Sequence, residues 1–359
     1  MSGIKEVAAL AGVSISTVSN VLNGTKYVSP ELAERVEKAV KALNYEVNPI
    51  AASMKSRKSG VIGVITEDLC GVFYPYLVRG INEAAEEKGY RLMISDINGK
   101  KEKIPPVERE LELFQRLLAS RVDGIIFTSS ISGVENKYFL ELKRMAENKY
   151  KKTPIVSLER DLTMIGIDSV YFDGLVNAQT AVGHLADCGC RKICHISGPP
   201  GLQIAQERIA GYRKCLNDRG LELDEESMIA YGDYTHGSGY RCMEKLLDEV
   251  PDLDGVFCSN DQMAIGALRV LKERGKAVPE EVKLIGYDDV FVSSIVEPPL
   301  STIHIQKNAA GRKAAEILFD RIGHPEKREL AVGIKLESRL VVRRSTVAGA
   351  EENWDLNDW

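Results

Sequence analysis

Ile4-Lys-Glu-Val-Ala-Ala-Leu-Ala-Gly-Val-Ser-Ile-Ser-Thr-Val-Ser-Asn-Val-Leu-Asn23 is the stretch that decides how the chain is read. Ile4, Val7, Ala8, Leu10 and Ala11 recur at helical spacing, and Gly12 is a residue type that ends helices. Ser14 suits the N-cap of a second helix, Ile15 to Leu22, with Val18, Val21 and Leu22 on its inner face. Two short helices joined by Gly12-Val13-Ser14 make a helix-turn-helix. Ser29-Pro30-Glu31 supplies an N-cap, an N1 proline and a dipole-complementing acid for a third helix. That helix runs to about Leu43, with Leu32, Val36, Ala39, Val40 and Leu43 facing inward. Segment 48–60 is a linker with some helical potential and a basic end at Lys55-Ser-Arg57-Lys58.

The whole chain has 359 residues, too many for one ordinary core, so two or three domains are expected. Residues 1–60 carry eight basic against five acidic side chains, a net of +3, and the remainder carries 39 against 47, a net of −8. A basic small module on an acidic large one directs its positive end at a polyanion. Met1-Ser2-Gly3-Ile4 has no apolar run of signal-peptide length, and no stretch of about 18 apolar residues occurs, so a cytoplasmic location is expected. The seven cysteines follow no framework spacing and read as free thiols. Cys188-Gly-Cys190 with Cys194-His195 resembles a metal cluster. Cys194 and His195 alternate with Ile193 and Ile196, however, and a buried strand is the preferred reading; no metal and no cofactor is expected.

From Val61 the pattern changes. Val61-Ile-Gly-Val-Ile65 is a continuous apolar run, typical of a strand covered on both faces. Helices over about 74–89 and 107–120 alternate with strands at Tyr90–Ser95 and Asp123–Ser129. Further strands are expected at Ile155–Leu158, Ser169–Phe172, Ile193–Ser197, Met228–Tyr231, Gly255–Ser259 and Lys283–Tyr287. The alternation implies parallel sheets in two doubly wound lobes. Ligands of such sheets sit beyond the carboxyl ends of strands. Those ends carry Phe73 and Tyr74, Asp96, Ser129, Arg160, Tyr234 and Asn260-Asp261, a set able to stack on a ring and make paired hydrogen bonds. No nucleophile–base pair is present, so an enzyme is not expected. Gly198-Pro-Pro-Gly201 lacks the ending of a phosphate loop and Gly237-Ser-Gly239 is no nucleophile elbow; both read as turns.

With these strings in place, the sequence resembles the LacI/GalR family over about residues 3–346. The opening stretch carries the resemblance together with Val28-Ser-Pro-Glu, Leu43-Asn-Tyr-Glu-Val-Asn-Pro, Arg121-Val-Asp-Gly-Ile-Ile, Ile196-Ser-Gly-Pro-Pro, Glu207-Arg-Ile-Ala-Gly-Tyr, Ser259-Asn-Asp-Gln-Met-Ala-Ile-Gly-Ala, Leu284-Ile-Gly-Tyr-Asp-Asp and Arg339-Leu-Val-Val-Arg-Arg-Ser-Thr. The resemblance implies a small all-α helix-turn-helix headpiece (1–48), a hinge helix (49–60), an α/β sensor shaped like a periplasmic binding protein (61–346) and a tail (347–359). It places an N-lobe at about 61–160 and 290–322 and a C-lobe at about 161–289 and 323–346, with crossovers near 159–163, 288–292 and 321–325.

The function so implied is a transcriptional repressor whose operator binding is controlled by a small molecule, of the sugar class, held between the lobes of a homodimer. The partners are double-stranded operator DNA, the effector and a second copy, with no membrane. DNA contacts fall to Ser14, Ile15, Ser16, Thr17, Asn20, Asn23, Met54 and Lys55, with Met54 as a minor-groove wedge. Effector contacts fall to Phe73, Tyr74, Asp96, Arg160, Arg208, Tyr234 and Asp261, of which Arg208 and Asp261 rest on the family pattern. The family's purine-sensing member carries arginine six residues before the position of Arg208, where this chain has Leu202, which disfavours a purine. Asn20, Met54, Gly71-Val72 and Phe172-Asp173 depart from common family residues. The sequence leaves open whether a phosphocarrier protein acts as co-regulator instead.

Overall fold

A computed structural model describes residues 3–23, 26–45, 58–97, 105–129, 136–147, 152–326 and 330–351. The chain divides into two units, Met1–Gly60 and Val61–Trp359. The first contains α1 (Ile4–Ala11), α2 (Ile15–Asn23) and α3 (Pro30–Ala42). Gly12 closes α1 in the left-handed conformation (φ 63°, ψ 40°), and Val13 N–H turns back to the Ala8 carbonyl at 3.0 Å. A Cβ at Gly12 would lie 2.5 Å from Arg35 Nη2. That nitrogen donates to the carbonyls of Ala11 (2.7 Å) and Gly12 (3.3 Å), tying α3 to the turn. Ser14 Oγ accepts from Thr17 N–H at 3.1 Å and caps α2. Ser29 occupies the N-cap position of α3 without a side-chain cap bond, and Pro30 instead removes one orphan donor there. The core is Val7, Ala8, Ala11, Val18, Val36 and Ala39. Leu10, counted above in the helical apolar pattern, is 57% exposed.

The second unit begins with β1 (Val61–Thr66), α4 (Tyr74–Glu87), β2 (Arg91–Asp96), α5 (Pro106–Ala119), β3 (Ile125–Thr128), α6 (Asn136–Ala146), β4 (Ile155–Leu158) and β5 (Asp168–Phe172). It continues through α7 (Gly174–Asp187), β6 (Ile193–Ser197), α8 (Gln203–Arg219), α9 (Glu225–Met228), β7 (Ile229–Tyr231), α10 (His236–Glu249), β8 (Gly255–Cys258), α11 (Asp261–Glu273) and β9 (Lys283–Ile285). Last come α12 (Phe291–Ile295), β10 (Thr302–Ile305), α13 (Lys307–Gly323), β11 (Gly333–Leu336) and β12 (Ser338–Val341).

Two parallel sheets form, ordered β11-β5-β4-β3-β1-β2 and β7-β6-β8-β9, and β10 pairs antiparallel with β12. The apolar runs expected to be covered on both faces are so covered: Ile62, Val64 and Ile65 in β1, and all of β6 and β8, are buried. Cys194 and His195 are interior residues of β6. His195 Nδ1 bonds the Phe257 carbonyl at 2.9 Å, its ring stacks on those of Phe257 and Tyr212, and burial pushes its pKa down to about 4.

The lobe boundaries differ from the expected ones. β5 pairs in parallel with β4, so the chain is still in the first sheet at Phe172, and the expected crossover at 159–163 is only part of the connection, 159–167, between those strands. The first passage is therefore 172–174. The second joins β10 to α13 at 305–307, because residues 288–292 remain among second-lobe elements. The third joins β11 to β12 at 336–338, since β11 pairs with β5. Arg321 of α13 fastens this closure. It makes two 2.8 Å bonds to the buried Asp168 carboxylate, which also accepts from Val332 N–H at 2.7 Å.

Candidate functional site

In the first unit, the turn after Gly12 delivers the N-terminus of α2 to the surface. The hydroxyls of Ser14, Ser16 and Thr17 gather there, with Ser14 Oγ 2.7 Å from Ser16 Oγ and 2.9 Å from Thr17 Oγ1. A helix N-terminus bearing three hydroxyl groups is a ready anion site, suited to a DNA phosphate. Ile15 and Ser16 are exposed and Asn20 is partly so, with Ser16 and Asn20 on the side of α2 opposite buried Val18. Tyr27 projects with 89% exposure. Sequence reading did not single it out, because a lone tyrosine in a loop carries no periodic signal. For Asn23 the helix position is described and the side chain is not. Met54 and Lys55 lie outside the described residues.

In the second unit, the carboxyl ends of both parallel sheets converge on a cavity of about 330 Å³. The first lobe contributes Glu67, Asp68, Phe73, Tyr74 and Glu159; the second contributes Leu202, Arg208, Asp233, Tyr234, Asn260, Gln262 and Asp288. Of the expected effector contacts, Phe73, Tyr74, Arg208 and Tyr234 are brought together here. Phe73 and Tyr74 meet edge to face at 5.2 Å. Arg208 is buried, its guanidinium 3.8 Å above the Tyr287 ring and its Nη1 2.7 Å from the Ser259 carbonyl. Asn177 Nδ2 donates to Tyr287 Oη (2.8 Å) and Ser338 Oγ (3.0 Å). Residues from α7, from the strand end after β9 and from β12 are thus joined directly beneath the arginine.

The structure does not bring Asp96, Arg160 or Asp261 to the cavity. Asp96 Oδ2 accepts from Leu69 N–H at 3.0 Å and holds the loop after β1. Arg160 is buried with its guanidinium 5.2 Å from the Phe139 ring. Asp261 is the first residue of α11 and fully buried. Its carboxylate accepts from Val290 N–H (2.9 Å), Ser293 Oγ (2.7 Å) and Thr302 Oγ1 (2.7 Å). Its neighbour takes the outward place: Asn260 Oδ1 caps α11 through Met263 N–H (2.9 Å) and its Nδ2 donates to the Tyr234 carbonyl (3.0 Å).

Asp288, inside the quoted Tyr-Asp-Asp string, and Glu159, one residue before Arg160, were not read as ligands from sequence. Burial, then repulsion from Glu67, pushes Glu159 up to about 8, against the pull of Arg208. Burial likewise raises Asp288 to about 7 despite Arg208. The adjacent Asp289 behaves oppositely. Burial works against its charge, but His304 Nδ1 and Arg343 Nη2, each at 2.8 Å, hold it below the ordinary range. Glu159 (φ 70°), Tyr234 (φ 67°) and Asp288 (φ 106°) have left-handed backbones, and all three line this cavity. Strain concentrated in one place is a mark of a functional site. Tyr234 also needs Gly198, where a Cβ would lie 2.2 Å from its ring. The Gly198-Pro-Pro-Gly201 turn is therefore a platform for an aromatic side chain.

A helix-turn-helix unit with an exposed recognition face, joined to a two-lobed sheet unit with a polar cavity, defines a ligand-binding transcriptional regulator rather than an enzyme. The pattern of bacterial regulatory proteins of the lacI family matches residues 3–48, and that of a periplasmic binding protein-like domain matches residues 182–346. The transcriptional regulator CelR of Thermobifida fusca is 33% identical over 347 residues, covering 95% of this chain and 97% of that protein. The ribose operon repressor of Escherichia coli K12 is 32% identical over 325 residues, covering 90% and 94%. Among solved structures, a CelR–cellobiose complex is similar with a TM-score of 0.70 at 32% identity, covering 96% of this chain and 100% of that one. The lac repressor dimer bound to operator and the anti-inducer ONPF is similar with a TM-score of 0.85 at 28% identity, covering 96% and 99%. The chain belongs to the LacI family of transcriptional regulators.

Proposed function

We propose that this regulator is a cytoplasmic homodimeric repressor whose grip on a near-palindromic operator is set by a sugar in the cavity between the lobes. Ser14, Ile15, Ser16, Thr17, Asn20 and Asn23 of α2 contact the major groove, and Met54 and Lys55 the minor groove. The observation that carries the effector reading is Arg208, a buried guanidinium flanked by Asp288, Asn260, Tyr234 and Phe73. Fixed donors and acceptors beside aromatic faces are what a polyhydroxylated ring requires. The volume falls at the small end of the ~300–1,000 Å³ range of ligand sites. Leu202 lines the cavity and offers a purine no polar partner.

The solved CelR–cellobiose complex and the ribose operon repressor support a sugar. A ligand that touches both lobes binds their two arrangements with different affinity, which is the condition for acting on DNA at a distance. The test is a mobility-shift titration of the full chain on DNA from upstream of its own coding sequence, with hexoses, pentoses, amino sugars and disaccharides added in turn. At least one sugar is expected to change the operator dissociation constant tenfold or more, and Arg208→Met to abolish the change while leaving operator binding intact. Operator affinity unmoved by every sugar would overturn the reading.

A further inference from the structure

The second passage between the lobes, 305–307, ends on a buried cation. Lys307 opens α13 and is fully buried, and its Nζ donates to the carbonyls of Asp288 (2.5 Å), Asp289 (3.0 Å) and Ile305 (3.3 Å). An ammonium has three donors and no acceptor, so this set uses it completely. The three carbonyls belong to the second lobe. Asp288 N–H donates to the Ile303 carbonyl (2.9 Å), the Asp289 carboxylate is clasped by His304 and Arg343, and Val290 N–H is held by Asp261. Lys307 itself is fixed to the first lobe. The first turns of α13 meet α4 backbone to backbone: a Cβ at Gly80 would lie 2.0 Å from the Asn308 carbonyl, and one at Gly311 would lie 2.0 Å from the Leu77 carbonyl. One side chain therefore carries the position of a first-lobe helix to the loop after β9.

That loop is where the cavity acquires Asp288. Asp288 (φ 106°) and Asp289 (φ 53°) are consecutive non-glycine residues with left-handed backbones, a conformation that persists only where its surroundings hold it. Lys307 binds the carbonyl of each. The Asp288 side chain lines the cavity and acts on Arg208. We infer that Lys307 is a positioning residue for effector binding: it holds Asp288 in place against the effector and makes that placement depend on how α13 sits in the first lobe. The inference rests on the reading of the cavity as a sugar site and adds to it a residue outside the lining. A sugar held by Asp288 then favours the lobe arrangement in which the ammonium is seated. That preference is the differential affinity that control at a distance requires.

The test is calorimetry on the full chain with D-glucose, D-galactose, D-ribose, D-glucosamine and cellobiose. For a sugar that binds, Asp288→Asn and Lys307→Met are each expected to weaken it about tenfold or more, the size of one hydrogen bond whose partner is left buried. The double variant should bind about as weakly as the weaker single one, because Asp288 without the ammonium behind it no longer stands where it can contribute. A lysine that merely stabilised the fold would lower the melting temperature and leave the sugar's affinity unchanged, or let the two losses multiply. Either result would overturn the inference and leave the sugar reading standing. Should Lys307→Met not fold, hydrogen exchange in the unmodified chain decides. The sugar is expected to slow the Asp288 amide together with the Ala310 amide, which bonds the Gln306 carbonyl in the first turn of α13. Protection of Asp288 alone would overturn the inference in the same way. Binding by none of these sugars would overturn the sugar reading itself, and this inference with it.

Discussion

Replacing Gly12 by alanine strikes the turn that presents α2, and the structure separates its effect into two parts. An L-residue held at φ 63° costs about 1 kcal/mol. The new Cβ also meets Arg35 Nη2, so the guanidinium swings out and releases the Ala11 and Gly12 carbonyls. Arg35 is solvent-exposed, which discounts those bonds to about 1 kcal/mol together. The sum, about 2 kcal/mol, is large for a unit whose core is six residues, three of them alanine. Hydrogen exchange of the α1 and α2 amides in the full chain reads it directly, because about 2 kcal/mol is roughly thirtyfold faster exchange. Arg35→Ala alone should give about 1 kcal/mol. The double variant should give about 2 rather than 3, because the second loss has already occurred. Full additivity would refute the account, since Arg35 would then owe nothing to the bare α-carbon beneath it. Operator affinity should fall in the same order.

Asn20→Ala should relax operator preference at a single base pair, costing about 1–3 kcal/mol there, and a base-substitution scan unchanged at every position would remove Asn20 as a reader. Glu110, Glu159 and Asp288 keep protons to about 7, 8 and 7 in the folded chain against ordinary values of 4.5, 4.5 and 3.8. The folded state therefore binds more protons than the unfolded one between pH 5 and 8. Thermal stability of the effector-free protein should fall as pH rises through that window and should not show the rise that paired carboxylates produce. Glu110→Gln, at a fully buried position, should flatten the fall and gain on the order of 2 kcal/mol at pH 8 in urea unfolding. A profile unchanged by the substitution would mean that Glu110 is not one of the protonated groups.

Legibility followed the range of the interactions involved. The helix-turn-helix could be read because Gly12, Ser14 and Pro30 act on backbone within a few residues of themselves. β1 could be read because a strand covered on both faces announces itself as an unbroken apolar run. β10, β11 and β12 were missed: β11 and β12 alternate half-exposed residues with exposed ones such as Lys335 and Arg339, and their partners lie far away in sequence. The lobe boundaries failed for the same reason, since only pairing with β4 tells which sheet receives Asp168–Phe172. At the cavity, Phe73, Tyr74, Arg208 and Tyr234 of the expected contacts line the walls, whereas Asp261 is turned inward and Asp288, which lines the cavity, was not singled out. Asp261, Asp288 and Asp289 carry one side chain in three surroundings: three neutral donors, an open cavity, and a histidine–arginine clasp. The difference arises only once α11, β9 and β12 have met.

The late arrival of α13 and β11 has a consequence for how the molecule is made. Every strand of the second sheet, and the helices between them, lies in the continuous stretch 174–285. The first sheet, although its first five strands are translated earlier, lacks β11 and the buried Arg321 until the last few dozen residues leave the ribosome. Vectorial synthesis therefore lets the four strands of the second sheet form while the first still waits for its edge strand, although β12 of the second lobe is translated last of all. A chain cut near residue 300 would carry all four strands of the second sheet and an open edge at β5. A chaperone that guards exposed strand edges has its natural target there.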